Sequence, residues 1–280
     1  LKRHRSKEEG VADLLNYAAM VEDGIIVGKN GSFMAAWLYK GDDNASSTDE
    51  HRNMVSFRIN QALSGKGNGW MIHVDAVRRT APNYIDAGLS HFPDPITAAI
   101  DEERRRHFEG LGTMYEGYFV LTVTYFPPML AQSKFVELMF DDDEKGLTNQ
   151  ARTQGLLDTF KRDCLSLESS LSTAVKLERL KSNLIYNEDG TTVNQDEFLR
   201  WLQFCVTGIN QPIILPSNPI FLDALICGQE MHSGSIPIIG RKHIQVVAIE
   251  GFPLNSTPGI LAALAEQPCE YRWSSRFIFM

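Results

Sequence analysis

The stretch IIVGKNGSFMAAWLYK, residues 25–40, decides the fold class. Its Asn30-Gly31 dipeptide separates two apolar runs, and both residues accept the positive φ that a tight β-turn demands, so a β-hairpin opens the fold. Upstream, DLLNYAAMV (13–21) reads as a short amphipathic helix that reaches the hairpin through a turn at Asp23-Gly24. Downstream, STDEHRNMVSFRINQAL (47–63) predicts a helix capped by Ser47 or Thr48, with Met54, Phe57, Ile59 and Leu63 available for burial. The loop SGKGNG (64–69) leads into WMIHVDAVRR, where Trp70, Ile72, Val74 and Ala76 alternate with Met71, His73, Asp75 and Val77, the pattern of a strand.

Further along, DPITAAIDEERRRHF (94–108) places Asp94 at the N-cap and Pro95 at the first helical position. YFVLTVTYF follows, a strand with Phe119, Leu121, Val123 and Tyr125 on one face. Between Gln150 and Lys181 there is no proline, and Leu157, Phe160, Cys164, Leu167, Leu171 and Ala174 step by threes and fours. That seam predicts a helix of about 30 residues, about 45 Å long. It fits either a coiled-coil contact with another subunit or an amphipathic helix lying across its own lobes. Asn194 and Glu197 resemble a capping box before the helix DEFLRWLQFCV, and PIILPSNPIF (212–221) reads as extended or turn-like. HIQVVAIEGFP as strand, TPGILAALAEQ as helix and EYRWSSRFIFM as strand form a βαβ-like close. The expected class is α+β, with mainly antiparallel or mixed sheets, flanking helices and two lobes linked by the long helix. The expected boundaries are 1–128 for an N-terminal lobe, 129–182 for a connecting segment and 183–280 for a second lobe.

Composition narrows the function. With 280 residues, 43% of them hydrophobic and 22% charged, the sequence is that of an ordinary soluble globular chain. A net charge of −8 argues against general nucleic-acid binding, which needs a basic excess. FVLTVTYF (119–126) and PIILPSNPIFLDALIC (212–227) fall short of the roughly 20 uninterrupted apolar residues that cross a bilayer. The basic start with Lys2, Arg3, Arg5 and Lys7 has no apolar segment behind it, so it is no signal peptide; it reads as a solvated flank, with peripheral contact to anionic lipid as the alternative. Cys164, Cys205, Cys227 and Cys269 stand far apart among apolar neighbours and read as buried free thiols of a reducing compartment. The chain starts at Leu1 and stops at Met280 inside RWSSRFIFM, and is expected to be a piece of a longer protein.

The chemical motifs fail on spacing. Gly24-Ile-Ile-Val-Gly28-Lys29-Asn30 is one residue short of a phosphate-binding loop and has asparagine where the metal-binding hydroxyl belongs. Gly65-Lys66 has Asn60 where the upstream glycine must be, and the glycines at 65, 67 and 69 precede a strand rather than open a helix. Were NEDGTTVNQDEF a calcium loop with Gly190 sixth, Ile185 would take the place of the first carboxylate. No histidine pair has ligand spacing and no nucleophile elbow is present, so no catalytic, cofactor-binding or metal residue is assigned. Gln229-Glu-Met-His232-Ser233-Gly-Ser235 is the loop on which a stand-alone hydrolase would have to rest. Arg78, Arg79, Arg104, Arg105 and Arg106 form the candidate interaction surface, with DNA contact as one version of it. Asp101 and Glu102, four residues before Arg105 and Arg106, favour instead a self-paired helix face. The run Asp141 to Glu144 reads as a solvated loop.

The order of segments supplies a resemblance. DLLNYAAMVEDGIIVGKNGSFMAAWLYKGDD, FPDPITAAIDEERRRHFEG with YEGYFVLTVTYFPP, and HIQVVAIEGFPLNSTPGILAALAEQPCEYRWSSRFIFM resemble the N-terminal domain of the TrbE/CagE/VirB-type ATPases of type IV secretion, nearest to the conjugative TrbE branch. The closing segment is the most specific, with Pro253, Pro258-Gly259, Glu270-Tyr271-Arg272 and Ser275-Arg276-Phe277. The resemblance implies a docking domain without catalysis of its own, at the cytoplasmic face of the bacterial inner membrane. Its implied partners are inner-membrane subunits and neighbouring ATPase subunits in a hexamer, with no specific nucleic acid. ATP and magnesium would belong to a motor domain following this region, so no ATP-binding residue is carried over to any position here.

Overall fold

The structure is a computed structural model that describes residues 10–42, 46–128, 147–186, 190–216, 220–249, 251, 254–255 and 259–279, without the side chains of 147–153. The basic start, the acidic run at 141–144, Pro253 and Pro258 lie outside the described residues. The architecture is α+β. A seven-stranded sheet has the order β1 (Ala19–Glu22), β2 (Ile25–Val27), β3 (Phe33–Lys40), β5 (Met114–Tyr125), β4 (Trp70–Ala81) and β12 (Tyr271–Ile278), with β6 (Lys176–Arg179) also pairing β3. The β1–β2, β2–β3 and β3–β6 pairs are antiparallel. Two smaller sheets join β7 (Ser182–Tyr186) to β8 (Thr192–Asp196), and β9 (Met231–His232), β10 (Ile238–Ile239) and β11 (Lys242–His243).

The chain forms two compact units. The larger comprises Leu1–His73, Val120–Glu250 and Arg276–Met280, and the smaller Val74–Phe119 and Gly251–Ser275. Three of the four divisions fall inside β4, β5 and β12.

In the larger unit the hairpin at Asn30-Gly31 forms between β2 and β3. Gly31 takes the positive φ, +78°, while Asn30 does not, because the connection between Val27 and Phe33 is longer than a two-residue turn. Residues 13–21, expected as a helix, form instead a four-residue helix α1 (Val11–Leu14), a connection, and strand β1. Asn16 ends the helical path: its side chain donates to Asn30 Oδ1 at 2.8 Å and accepts from Asn30 N–H at 3.1 Å. Ala19 to Glu22 then folds back on β2 across Asp23-Gly24, where tertiary pairing overrides a weak local pattern.

Helix α4 (Leu147–Leu171) is the long helix, ending at Leu171 rather than near Lys181. Leu157, Phe160, Cys164, Leu167 and Leu171 are buried as the seam requires, while Ala174 lies past the helix end. The Phe160 ring stacks on Phe33 of β3 at 5.6 Å and on Trp70 of β4 at 5.8 Å, and Trp70 meets Tyr125 of β5 at 5.0 Å. Glu168 accepts a hydrogen bond from Trp37 Nε1 at 3.1 Å, and Lys161 pairs with Glu22 at 2.8 Å. The seam therefore belongs to the chain's own sheet. Cys164 sits within it, and burial pushes its thiol up to about 12, which makes it a hydrophobe in practice. Cys205 and Cys227 are half-buried, but Cys269 is exposed, a departure from the expected burial of all four.

Other elements depart from the sequence reading in instructive ways. Helix α2 (Asp49–Ser64) takes Thr48 as its cap but buries no residue, and Met54 and Phe57 point outward. In β5, Val120 through Thr124 are all buried, so both faces of the strand are covered over this stretch, while Phe119 is exposed. In β4 the buried set changes phase from Trp70 and Ile72 to Asp75 and Val77, where the strand passes from one unit into the next. Helix α5 (Glu197–Thr207) is capped by Asp196, not Asn194: Asp196 Oδ1 accepts from Leu199 N–H at 2.7 Å and Oδ2 from the Ser182 hydroxyl at 2.8 Å. Short helix α6 (Leu222–Ile226) carries Asp223, which pairs with Lys29. Of the expected closing βαβ unit, the described residues keep β12, a 3-10 helix over Ala262–Glu266 and His243 in β11; 244–249 are irregular, and 250, 252–253 and 256–258 lie outside the described residues.

Two stability measurements check this packing. Phe160→Ala removes a ring contacting two others and should cost about 3–5 kcal/mol by urea denaturation, whereas Leu165→Ala, exposed on the same helix, should stay within about 0.5 kcal/mol. Burial raises the Asp196 carboxyl above its ordinary value. The folded chain thus holds that proton more tightly than the unfolded chain does, so this group's contribution falls as pH rises from the ordinary carboxylate value through the raised one. Asp196→Asn keeps an acceptor for Leu199 and should flatten that part of the stability profile; an unchanged slope contradicts the assignment.

Candidate functional site

The smaller unit carries all five arginines singled out from the sequence. Arg78, on β4, lies with its guanidinium over the Tyr115 ring of β5 at 4.2 Å. Its neighbour Arg79 pairs with Glu116 and lies 5.4 Å from the centre of the Tyr118 ring. Both positions are thus committed across the β4–β5 pair, at roughly 0.5–1 kcal/mol for each cation–π contact where water has access. Nearby, Thr80 donates from N–H and hydroxyl to Glu270, and Arg272 of β12 faces Asp75 at 3.7 Å.

The other three arginines stand on α3 (Pro95–Gly110), whose start follows the sequence: Asp94 accepts from the N–H groups of Ile96 and Thr97, and hydrogen bonding, chiefly from Thr97, lowers its pKa. Arg105 donates to the Ile85 carbonyl at 2.7 Å, reaches Glu102 at 3.2 Å and Asp101 at 3.8 Å, and lies 5.3 Å from the Tyr84 ring centre. Tyr84 also stacks on Phe108 at 5.7 Å and donates its hydroxyl to Asp101, a bond that raises the phenol's pKa. Asn83 bonds the Gly112 carbonyl at 2.6 Å and so ties down the helix C-terminus. Asp101, Arg105 and Phe108 therefore face the 83–85 segment. Arg106 pairs with Glu102 at 3.3 Å and Glu103 at 2.8 Å. The expected helix pairs from Asp101 and Glu102 are both present. Arg104 alone of the five has no side-chain hydrogen bond, ion pair or ring contact among the described residues, and it is exposed.

Arg104 borders a feature that the sequence reading missed. Ile96, Ala99 and Ile100 fall on the side of α3 opposite Asp101, Arg105 and Phe108. Ile96 is 72% and Ile100 58% exposed, and the helix buries no residue at all. With Pro95, Glu103, Arg104 and His107 they line an open concavity of about 690 Å³. The isoleucine pair at i and i+4 was visible as a pattern, but periodicity says which residues share a face, not whether that face is covered.

The residues screened for chemistry are occupied elsewhere. Lys29 Nζ lies 2.6 Å from Asp223 and donates to the Ala12 carbonyl, while Gly28 N–H bonds Ser32 O at 2.7 Å inside the hairpin turn. Lys66 sits 4.4 Å over the Trp70 ring and reaches the Asp163 carbonyl. In both glycine–lysine pairs the lysine is engaged by groups of the chain itself. His232 Nε2 lies 3.6 Å from Glu230, and no hydrogen bond joins it to Ser233 or Ser235, which are exposed. Among the described residues no group of three or more His, Cys, Asp or Glu could hold a metal ion.

These observations define an α+β domain with an exposed apolar helix face, in which the lysines beside the glycine turns are bonded within the fold. The profile described as the N-terminal domain of the type IV secretion system ATPase VirB4/TrbE matches residues 24–133, from the first hairpin past β5. The conjugal transfer protein TrbE of Rhizobium radiobacter is 39% identical over 282 aligned residues, covering 100% of this chain and 34% of that protein. In Sinorhizobium fredii a probable conjugal transfer protein TrbE is divided between two chains, and each resembles this one. The first is 44% identical over 127 residues, covering 45% of this chain and 85% of the relative; the second is 38% identical over 126 residues, covering 45% and 19% respectively. The chain belongs to the VirB4/TrbE family. It spans about a third of the length of the R. radiobacter relative.

The arginine geometry makes one stability prediction. Arg105→Ala should destabilise the chain by about 1–2 kcal/mol in chemical denaturation, since it removes the donor to the Ile85 carbonyl and one of the two partners of Asp101 and of Glu102. Arg104→Ala should be neutral within about 0.5 kcal/mol. Equal effects of the two substitutions would contradict the partition of these side chains.

Proposed function

We propose that this chain is the N-terminal assembly domain of a type IV secretion ATPase of the conjugative kind, and that it docks the enzyme rather than performing the chemistry. The observation that carries this reading is the extent of the likeness: identity to TrbE runs over the whole chain yet accounts for only 34% of the relative. A region of that size is large enough for a complete domain, and the rest of such a protein has room for a separate motor. Under this reading the full-length protein binds and hydrolyses ATP with magnesium on its motor domain and so powers pilus biogenesis or substrate transfer. The N-terminal domain contacts inner-membrane subunits of the machine and neighbouring ATPase subunits in a hexamer, at the cytoplasmic face of the inner membrane. Among the described residues no helix is long and apolar enough to cross a membrane, which is consistent with attachment through protein contacts or peripheral association. The internal commitments of Lys29, Lys66 and four of the five arginines support a role other than phosphate chemistry or DNA contact.

The test separates docking from turnover. The purified 280-residue chain should show no magnesium-dependent ATP hydrolysis above that of a mock preparation. Full-length protein lacking this region should keep its nucleotide turnover but lose both copurification with the inner-membrane complex and plasmid transfer from donor cells. Turnover by the isolated chain, or transfer that survives the deletion, overturns the proposal.

A further inference from the structure

We infer that the part of this chain up to Pro128 and the part from Leu147 onward hold each other without the peptide connection between them, so that the domain assembles from two chains as well as from one. The inference is independent of the docking reading, because it concerns what the domain is made of and not what it binds. Its first support is the way the two halves share the compact units. The larger unit joins Leu1–His73 to residues up to Glu250 and to Arg276–Met280, and the smaller joins Val74–Phe119 to Gly251–Ser275, so neither half holds a complete unit. Within the larger unit, β6 of the second half pairs with β3 of the first from Trp37 to Lys40, and Phe160 of α4 stacks on Phe33 and Trp70. Trp37 donates to Glu168, Arg58 to the Thr173 carbonyl, and Glu22 pairs with Lys161. Within the smaller unit, Thr80 donates to Glu270 of the second half and Asp75 faces Arg272. A half by itself leaves β3 without β6 and puts the seam of Leu157, Phe160, Cys164, Leu167 and Leu171 in water. A surface of this kind, a hydrophobic core cut in two, is that of an obligate complex.

The second support is the division of the relative in S. fredii. Its two chains match 127 and 126 residues of this one, and their full lengths, taken from the shares covered, together come close to that of the undivided R. radiobacter protein. Two such matches, in the order of their names, share out the 280 residues with a break near the middle, after β5 has ended at Tyr125 and before α4 begins at Leu147. Among the described residues a break there severs no strand or helix and none of the contacts just named. A covalent connection acts as an effective concentration of about millimolar order, which an interface of submicromolar affinity does not need.

The experiment makes the break in this chain. A protease recognition sequence is placed between Asp141 and Asp142, and the purified 280-residue protein is compared before and after cutting. Both pieces should elute together in gel filtration at about 1 μM, with an unchanged circular dichroism spectrum. Coexpressed as two chains, a tagged first piece should retain the second in equal amount. The strength of the association is read from the exchange of a fluorescent cut protein with an excess of unlabelled cut protein. Phe160→Ala should speed that exchange by at least about a hundredfold. Glu22→Lys, which sets two cations against each other without touching the core, should speed it about fivefold, and adding Lys161→Glu should restore the original rate. Leu165→Ala, exposed on α4, should leave it unchanged. Pieces that part or precipitate on cutting, a second piece that is not retained, or an exchange that Phe160→Ala and Glu22→Lys both leave unaltered overturns the inference. None of these outcomes bears on the docking reading, which is tested by deleting the whole region from the full-length protein.

Discussion

The larger unit depends on one contact set, the insertion of Phe160 between Phe33 and Trp70. Those two rings come from strands that are not adjacent in the sheet, with β5 lying between β3 and β4, and Trp70 passes the contact on to Tyr125 of β5. A single helical side chain thereby ties α4 to both β3 and β4. The polar bonds at its flanks, from Trp37 to Glu168 and from Lys161 to Glu22, set its rotation. Aromatic packing supplies the larger share of the energy and the charged pairs the orientation, since half-exposed ion pairs contribute little by themselves.

The same allocation of groups shows what the residues that look chemically promising do within the fold. Lys29 closes α1 onto α6 through Asp223 and the Ala12 carbonyl. Lys66 covers Trp70, and Arg78 and Arg79 cover Tyr115 and Tyr118. In each case a cation next to glycine or another cation is engaged by an aromatic face or a carboxylate of its own domain. What remains unengaged is a small set on α3, and there the helix shows apolar surface on the side turned away from Tyr84 and Asn83.

Much of the architecture was legible locally. The Asn30-Gly31 hairpin, the Thr48 and Asp94 caps and the buried seam from Leu157 to Leu171 follow from turn chemistry, capping and periodicity, which act within a few residues. The departures share a non-local cause. Residues 19–22 became a strand because β2 was there to pair with them, and Val120 to Thr124 are buried because other parts of the chain cover both faces of β5. Asp196 displaced Asn194 as cap once β7 brought Ser182 to its second oxygen.

The sequence by itself determined the α+β class, the family and the absence of a phosphate loop, because each rests on residue identity and spacing along the chain. It also showed that Asp101 and Glu102 would pair with Arg105 and Arg106, since i to i+4 neighbours meet on any helix. Only the tertiary structure decided which faces are covered. Phe57, Ile96 and Ile100 carry the same apolar character as Phe160 and Leu167, yet the first three lie open and the last two are sealed. Burial is a property of what packs against a residue, and that is settled by segments far away in the chain.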